Sequence, residues 1–267
     1  MKAASILTAF TMIGLLTGCD LQRSLLYLPG RHTVGDVIRH AAANDLRLWP
    51  VDGAGYRGII SRKGPPFTLG TVVVFHGNAG PAVSRLYYFP ALEPRGYRVV
   101  LIEYPGYGGR IGQLSEKNLV ADARRSVYLA KEQFGGPVYL WGESLGCGVA
   151  TALVKDDRLR PRGVALLTPW DSLLNLGKEK FPWLPVRLLL RDSYDNMTNL
   201  DGYVGPVAVI MAKRDEVIPN ELTERLFNAI SPPKRMWTFD SAGHNDWPNG
   251  PNLGWWGEIM DFLNVAE

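Results

Sequence analysis

The chain has 267 residues, 46% of them hydrophobic and 21% charged, which suffices for a sizeable core in one α/β domain. Its 29 basic and 26 acidic residues are intermixed and leave a net charge of +3, without the basic stripe or arginine-rich arm that tracks phosphates, so a nucleic-acid partner is not expected. Four histidines (His32, His40, His76, His244) and two cysteines lie far apart, with none of the short ligand pairs of a zinc site, and a structural metal is not expected.

Lys2 and the interrupted apolar run to Leu16 read as a secretory signal, too short for a transmembrane helix. The run ends in Leu16-Thr17-Gly18-Cys19, which resembles the bacterial lipobox. Residues 1–18 would then be a lipoprotein signal peptide, and Cys19 the acylated N-terminus of the mature chain. Acyl chains contribute about 0.8 kcal/mol per buried methylene, so such a cysteine holds a protein on a membrane surface without spanning it. Asp20 resembles the inner-membrane retention signal of some lipoproteins, which points to a lipid-anchored protein facing the periplasm or exterior. A lipidated Cys19 leaves Cys147 without an intramolecular disulfide partner. Residues 19–45 are read as lipidated N-terminus and tether, punctuated by Pro29-Gly30; Leu25 to Leu28 lie either on lipid or against the domain.

The body is expected over 46–267. Leu46 to Val51 and Tyr56 to Ser61 read as an antiparallel hairpin. Thr71 to Phe75 is a continuous β-branched run, the pattern of a strand buried on both faces, and it leads into His76-Gly77-Asn78-Ala79-Gly80. A glycine-rich turn there can aim a backbone N–H into a cleft, with His76 orienting the loop. Pro81 to Glu93 has helical spacing with Gly96 as its stop, and Tyr97 to Ile102 is a second buried strand. Glu103 and the turn Tyr104-Pro105-Gly106-Tyr107-Gly108 follow, the tyrosines either packing on the turn or touching substrate. Ser115 caps an amphipathic helix that runs to Gln133.

Val138 to Trp141 is the strand that delivers Gly142-Glu143-Ser144-Leu145-Gly146, a G-x-S-x-G pattern in which a serine sits on a strained strand-to-helix turn. Glu143 faces substrate or solvent. A further strand, Gly163 to Leu167, precedes a stretch over 168–205 rich in Trp, Leu, Pro and Asp, long enough to be a lid over a cleft. Val207 to Met211 is the next strand, with Asp215 in the turn after it. Asn220 to Ile230 is a helix, Lys234 to Phe239 the last strand with His244 beyond it, and Leu253 to Leu263 a closing helix. Such alternation predicts an α/β fold with a mostly parallel sheet and helices on both faces, its active groups at the strands' carboxyl ends.

Ser144, Asp215 and His244 thus fall at one sheet edge in the order of an α/β-hydrolase triad: a serine hydroxyl is a weak nucleophile until an imidazole takes its proton, and a carboxylate fixes that imidazole's tautomer. Asp171, Asp192, Asp195, Asp201 and Glu216 also lie between serine and histidine, but Asp215 directly follows a buried strand. Asp246, two residues past His244, caps its loop. The backbone N–H groups of Asn78 and Leu145 are the expected oxyanion donors.

These motifs, with Val217-Ile218-Pro219 after Asp215 and Asp192-Ser193-Tyr194-Asp195 in the lid, resemble the α/β-hydrolase superfamily, most closely its Bem46 and ABHD13/ABHD17-type serine hydrolases. The lipobox, tether and Glu103 are departures from that pattern. The resemblance implies a membrane-anchored hydrolase that cleaves a carboxylic ester or thioester of a small-molecule or lipid-like acyl substrate without a cofactor. Two alternatives use the same chain differently: a peptidase or amidase on the same triad, and a non-catalytic binding module at the membrane.

Overall fold

The computed structural model describes residues 22–51, 53, 55–231, 233–247 and 254–265. The expected signal peptide, Cys19 and Asp20 lie outside the described residues. Among those described, the chain runs α1 (Val34–Ala42), β1 (Leu46–Trp49), β2 (Gly58–Ser61), β3 (Gly70–Phe75), α2 (Tyr88–Leu92), β4 (Tyr97–Ile102), α3 (Glu116–Phe134), β5 (Val138–Glu143) and α4 (Leu145–Thr151). The second half continues β6 (Gly163–Leu167), α5 (Leu173–Lys180), α6 (Val186–Leu189), α7 (Asn196–Leu200), β7 (Val207–Ala212), α8 (Asn220–Ala229), β8 (Lys234–Phe239) and α9 (Trp255–Val265).

The strands form one eight-stranded sheet in the order β1-β2-β4-β3-β5-β6-β7-β8. The hairpin strands β1 and β2 pair antiparallel, β2 pairs antiparallel with β4, and every neighbour from β4 to β8 is parallel. Strands β3, β5, β6 and β7 are buried throughout, as their unbroken apolar runs require. Alternate side chains feed two cores. Val73, Phe75 and Leu140 point to the side of α3, with its Leu119, Ala123 and Val127, and of α8, with Leu222 and Leu226. Val72, Val74, Tyr139 and Trp141 point to the side of α1 and of α9, where Trp141 stacks on Trp256 at 5.0 Å. From β3 the chain crosses to β4 on one side, and from β5 to β6 on the other. The crevice between the carboxyl ends of β3 and β5 is therefore the topological switch point, where open α/β sheets bind ligands.

Two expectations need correction. Residues 22–45 are not a free tether. Tyr27 is buried, and α1 is a packed helix with Val37 and Ala41 in the core. Its start is a capping box, Thr33 accepting from the Asp36 N–H while the Asp36 carboxylate accepts from the Thr33 N–H, and a domain boundary at 46 lies too late. The helix expected over 81–93 is instead a 3-10 turn over Ala82–Arg85 followed by the short α2, because Pro90 fits only a helix's first turn.

Candidate active site

Strand β5 ends on Ser144, whose backbone takes φ 51° and ψ −112°, a conformation costly for any residue with a Cβ. The flanking glycines make that turn sterically feasible. A Cβ on Gly142 would stand 2.6 Å from the backbone N of Cys147, and one on Gly146 would overlap the Phe75 carbonyl oxygen. The Ser144 N–H donates to Leu167 O at 2.9 Å, tying the elbow to β6. Behind it, the Cys147 thiol donates to the carbonyls of Gly142 and Leu167; burial pushes this thiol well up and keeps it unreactive.

His244, in the loop after β8, is brought to the serine with its Nε2 3.1 Å from Ser144 Oγ. Its Nδ1 lies 2.8 Å from Asp215 Oδ2 and 3.0 Å from Oδ1. Asp215 Oδ1 also accepts the N–H groups of Val217 and Ile218 at 2.8 and 2.7 Å, so the carboxylate is held by the turn that follows β7. With the proton on Nδ1 donated to Asp215, Nε2 is the acceptor for the serine hydroxyl. Four of the five competing acids have other partners. Asp171 pairs with Arg225, Asp192 accepts from Tyr27, Asp195 caps α7, and Glu216 accepts the backbone N–H of His244. Asp246 accepts from the Gly243 N–H and shapes the loop.

Asn78 and Leu145 border the same cavity as Ser144. Leu145 opens α4, a position whose N–H has no acceptor within the helix. The loop carrying Asn78 is braced from several directions. His76 Nε2 lies 3.1 Å from Glu103 Oε1, and Glu103 Oε2 accepts the Ala82 N–H. Tyr104 donates to His76 O and Tyr107 to Asn78 O, so both tyrosines pack on the turn. Glu143 faces neither substrate nor solvent. It is buried, accepts from Tyr87 at 2.9 Å, and pairs with Arg85, whose Nη1 donates to Ala79 O at 2.6 Å. Arg85 therefore bolts the Asn78 loop to the residue preceding the nucleophile.

The segment before Gly30 forms the other brace; the sequence left open whether Leu25 to Leu28 lie against the domain and gave no sign of their contact with the Asn78 loop. Leu28 donates to Asn78 O and accepts from the Gly80 N–H, while the Asn78 side chain donates to Leu26 O. Gln22 donates to Asp192 O and accepts from the Arg191 N–H, and Tyr27 donates to Asp192 Oδ2, with Tyr194 at 3.0 Å. Burial pushes the Tyr27 hydroxyl far up, so it stays a neutral donor. These partners lie up to 170 positions away, beyond the reach of any local pattern.

Segment 22–26 and the 168–205 stretch together wall a cavity of about 700 Å³ that ends at Ser144. Its lining is overwhelmingly apolar, including Leu26, Trp170, Leu176, Phe181, Leu184 and Leu190, with Gln22, Asn78 and Lys180 among its few polar members. Among the described residues no group of His, Cys, Asp or Glu is arranged to hold a metal, and no helix is long and apolar enough to cross a membrane.

A switch-point crevice with a serine elbow and an aligned histidine and carboxylate defines a class, and comparison with known proteins agrees with it. The family described as the alpha/beta hydrolase fold matches residues 70–198, and the chain belongs to that family. An uncharacterized protein of Mycobacterium tuberculosis is 35% identical over 233 residues, spanning 84% of this chain and 81% of the relative. The lysophosphatidylserine lipase ABHD12 of Xenopus tropicalis is 28% identical over 225 residues, 77% of this chain but only 55% of the lipase. Among solved structures, TT1662 from Thermus thermophilus superposes with a TM-score of 0.64 at 22% identity, over 83% of this chain and 99% of that one. The Pyrococcus furiosus esterase Pf2001 does so with a TM-score of 0.61 at 17% identity, over 77% and 83%. The chain thus has the α/β-hydrolase fold, with a lipase among its relatives and an esterase among the solved structures that share the fold.

Proposed function

We propose that the protein is a serine hydrolase of the Bem46 and ABHD13/ABHD17 type that cleaves a carboxylic ester or thioester of a lipid-like acyl substrate. The observation that carries this reading is His244 bridging Ser144 and Asp215 at the end of an apolar cavity. Ser144 Oγ attacks the acyl carbonyl carbon as His244 Nε2 takes its proton. The carbonyl oxygen gathers negative charge against the N–H groups of Asn78 and Leu145. Collapse of this intermediate breaks the bond to the alcohol or thiol, which leaves with the proton from Nε2. Water then attacks the acyl-enzyme, His244 accepting its proton and returning it to Ser144 as the carboxylic acid departs.

The Cys19 lipobox supports a lipid-anchored protein in a bacterial envelope, and Asp20 supports its inner membrane. That placement suits an apolar cavity, which takes acyl chains most readily where lipids are concentrated.

Labelling with a fluorophosphonate probe tests the chemistry. The natural chain is expected to label and Ser144→Ala to remain dark; labelling that survives the substitution would remove Ser144 as nucleophile, and a folded natural chain that never labels would leave a binding module. A panel of acyl esters, thioesters and peptide amides tests the substrate class, with faster amide than ester cleavage overturning the reading in favour of a peptidase.

A further inference from the structure

The cavity opens beside an unusual concentration of exposed apolar side chains. Leu25 and Phe181, both part of its lining, are 56% and 38% exposed. Trp183 and Leu188, which do not line it but belong to the same wall segment, are each 76% exposed. Single exposed leucines are ordinary on a soluble protein; several large apolar residues bordering one cavity mouth are not. Charge accompanies them. Lys178, Lys180, Arg187 and Arg191 are exposed along the same wall, with Glu179 the lone exposed acid among residues 178–191. Among the described residues none of the four cations faces a carboxylate in an ion pair; Lys180 Nζ donates to the backbone carbonyl of Glu216 at 3.1 Å, which leaves its charge uncompensated.

We propose that this rim is a docking surface for an anionic lipid bilayer, with Leu25, Trp183 and Leu188 entering the headgroup boundary and Lys180, Arg187 and Arg191 meeting lipid phosphates, so that the cavity to Ser144 opens toward the membrane. A protein partner could equally cover apolar residues, but the mixture favours lipid. Tryptophan prefers the interfacial zone, where its ring is buried and its N–H stays wet, and cations interleaved with apolar residues match anionic headgroups in the way interfacial helices do. The surface stands on these side chains alone. The lipid anchor proposed at Cys19 adds to it independently, because Cys19 precedes the cavity-lining Gln22 by three residues, at most about 10 Å of extended chain. An anchor there would hold this face, and no other, against the lipid.

The test uses the full chain and its Trp183→Ser/Leu188→Ser variant, sedimented with phosphatidylcholine vesicles with and without phosphatidylglycerol. Any binding through the apolar N-terminal residues or an acyl chain is common to both proteins, so their difference isolates the rim. The double variant is expected to bind phosphatidylglycerol vesicles about tenfold more weakly or worse, and Arg187→Glu to lose most of the preference for anionic over neutral vesicles. Brominated lipids are expected to quench a component of the natural chain's tryptophan emission that is missing in Trp183→Phe. Unchanged thermal melting excludes misfolding, and none of these readouts needs hydrolytic activity, so the docking surface and the proposed chemistry can fail separately. Equal vesicle binding by natural chain and double variant, or quenching unaffected by Trp183→Phe, overturns the proposal. Self-association that disappears in the double variant while vesicle binding persists would give the rim to a second copy of the chain instead.

Discussion

An alanine at Gly146 adds one methyl group at the tightest point of the molecule. That Cβ would overlap Phe75 O and lie 2.6 Å from the Phe75 carbonyl carbon and 2.9 Å from His76 O. Carbon atoms settle at about 3.5–4.0 Å, so the start of α4 and the end of β3 must separate by about 1 Å. Neither side yields easily. Phe75 is paired with Ile102 on one flank and Gly142 on the other, and His76 is held by Glu103. Overpacking of this kind costs about 1–3 kcal/mol of stability. The larger effect is expected in catalysis, because the displaced residues belong to the two segments that carry Asn78 and Leu145, and misplacement by about 1 Å costs on the order of 10²-fold in rate. Steady-state hydrolysis of a short p-nitrophenyl ester should show kcat falling by that factor with KM changing far less, alongside a lower denaturant midpoint. Gly35→Ala is the control: it lies in α1 with nothing closer than 3.5 Å and should stabilise by about 0.5–1 kcal/mol through helix propensity. A Gly146→Ala protein with the natural kcat and midpoint would refute the claim that this contact sets the geometry of the site.

Asp215→Asn keeps the shape of the site but offers His244 an amide in place of a carboxylate, and should lower kcat by about 10⁴-fold with the fold intact by circular dichroism. Cys147, with its thiol pushed up by burial, should resist iodoacetamide at mildly alkaline pH and react only under denaturant, leaving activity untouched by the reagent; mass spectrometry of the treated protein decides this. Glu93 is held above the ordinary carboxyl range, burial being the main cause, so the folded chain binds its proton more tightly than the unfolded one. That contribution favours folding below the unfolded value and is lost as pH rises through the raised folded value. Glu93→Gln, still able to accept from Ser61, should therefore raise the melting temperature relative to the natural chain near about pH 7 and bring no such gain near about pH 4.

What the sequence disclosed follows from the range of the forces involved. Thr71 to Phe75 and Val138 to Trp141 announce themselves because a strand buried on both faces must be apolar at every position, and Ser144 because its turn demands glycine on either side. Asp215 and His244 were legible through their place after strands, since the parallel sheet collects those ends at one edge. Glu143 was misjudged because its partners, Arg85 and Tyr87, come from a segment whose regular helix is broken by prolines. The Thr33 and Asp36 pair was a local signal of α1 that went unread. Nothing local marks Tyr27, whose role depends on Asp192 and Tyr194, 165 and 167 positions further along the chain. His76, expected to orient the Asn78 loop, and Glu103, a charged residue just after a buried strand, were the local traces of the network behind that loop.

The brace that residues 22–28 place on the Asn78 loop has a consequence for biogenesis. This is the earliest-synthesised part of the body, yet it docks against residues made some 170 positions later, around Asp192. Until the chain has been made past Asp192, the loop lacks its brace and the cavity lacks a wall. A nascent chain in that condition has an incomplete site however well its sheet has formed, and the site closes only once the amino end folds back. For the same reason a tag or fusion partner pulling on Gln22 would loosen the Asn78 loop and open the cavity wall.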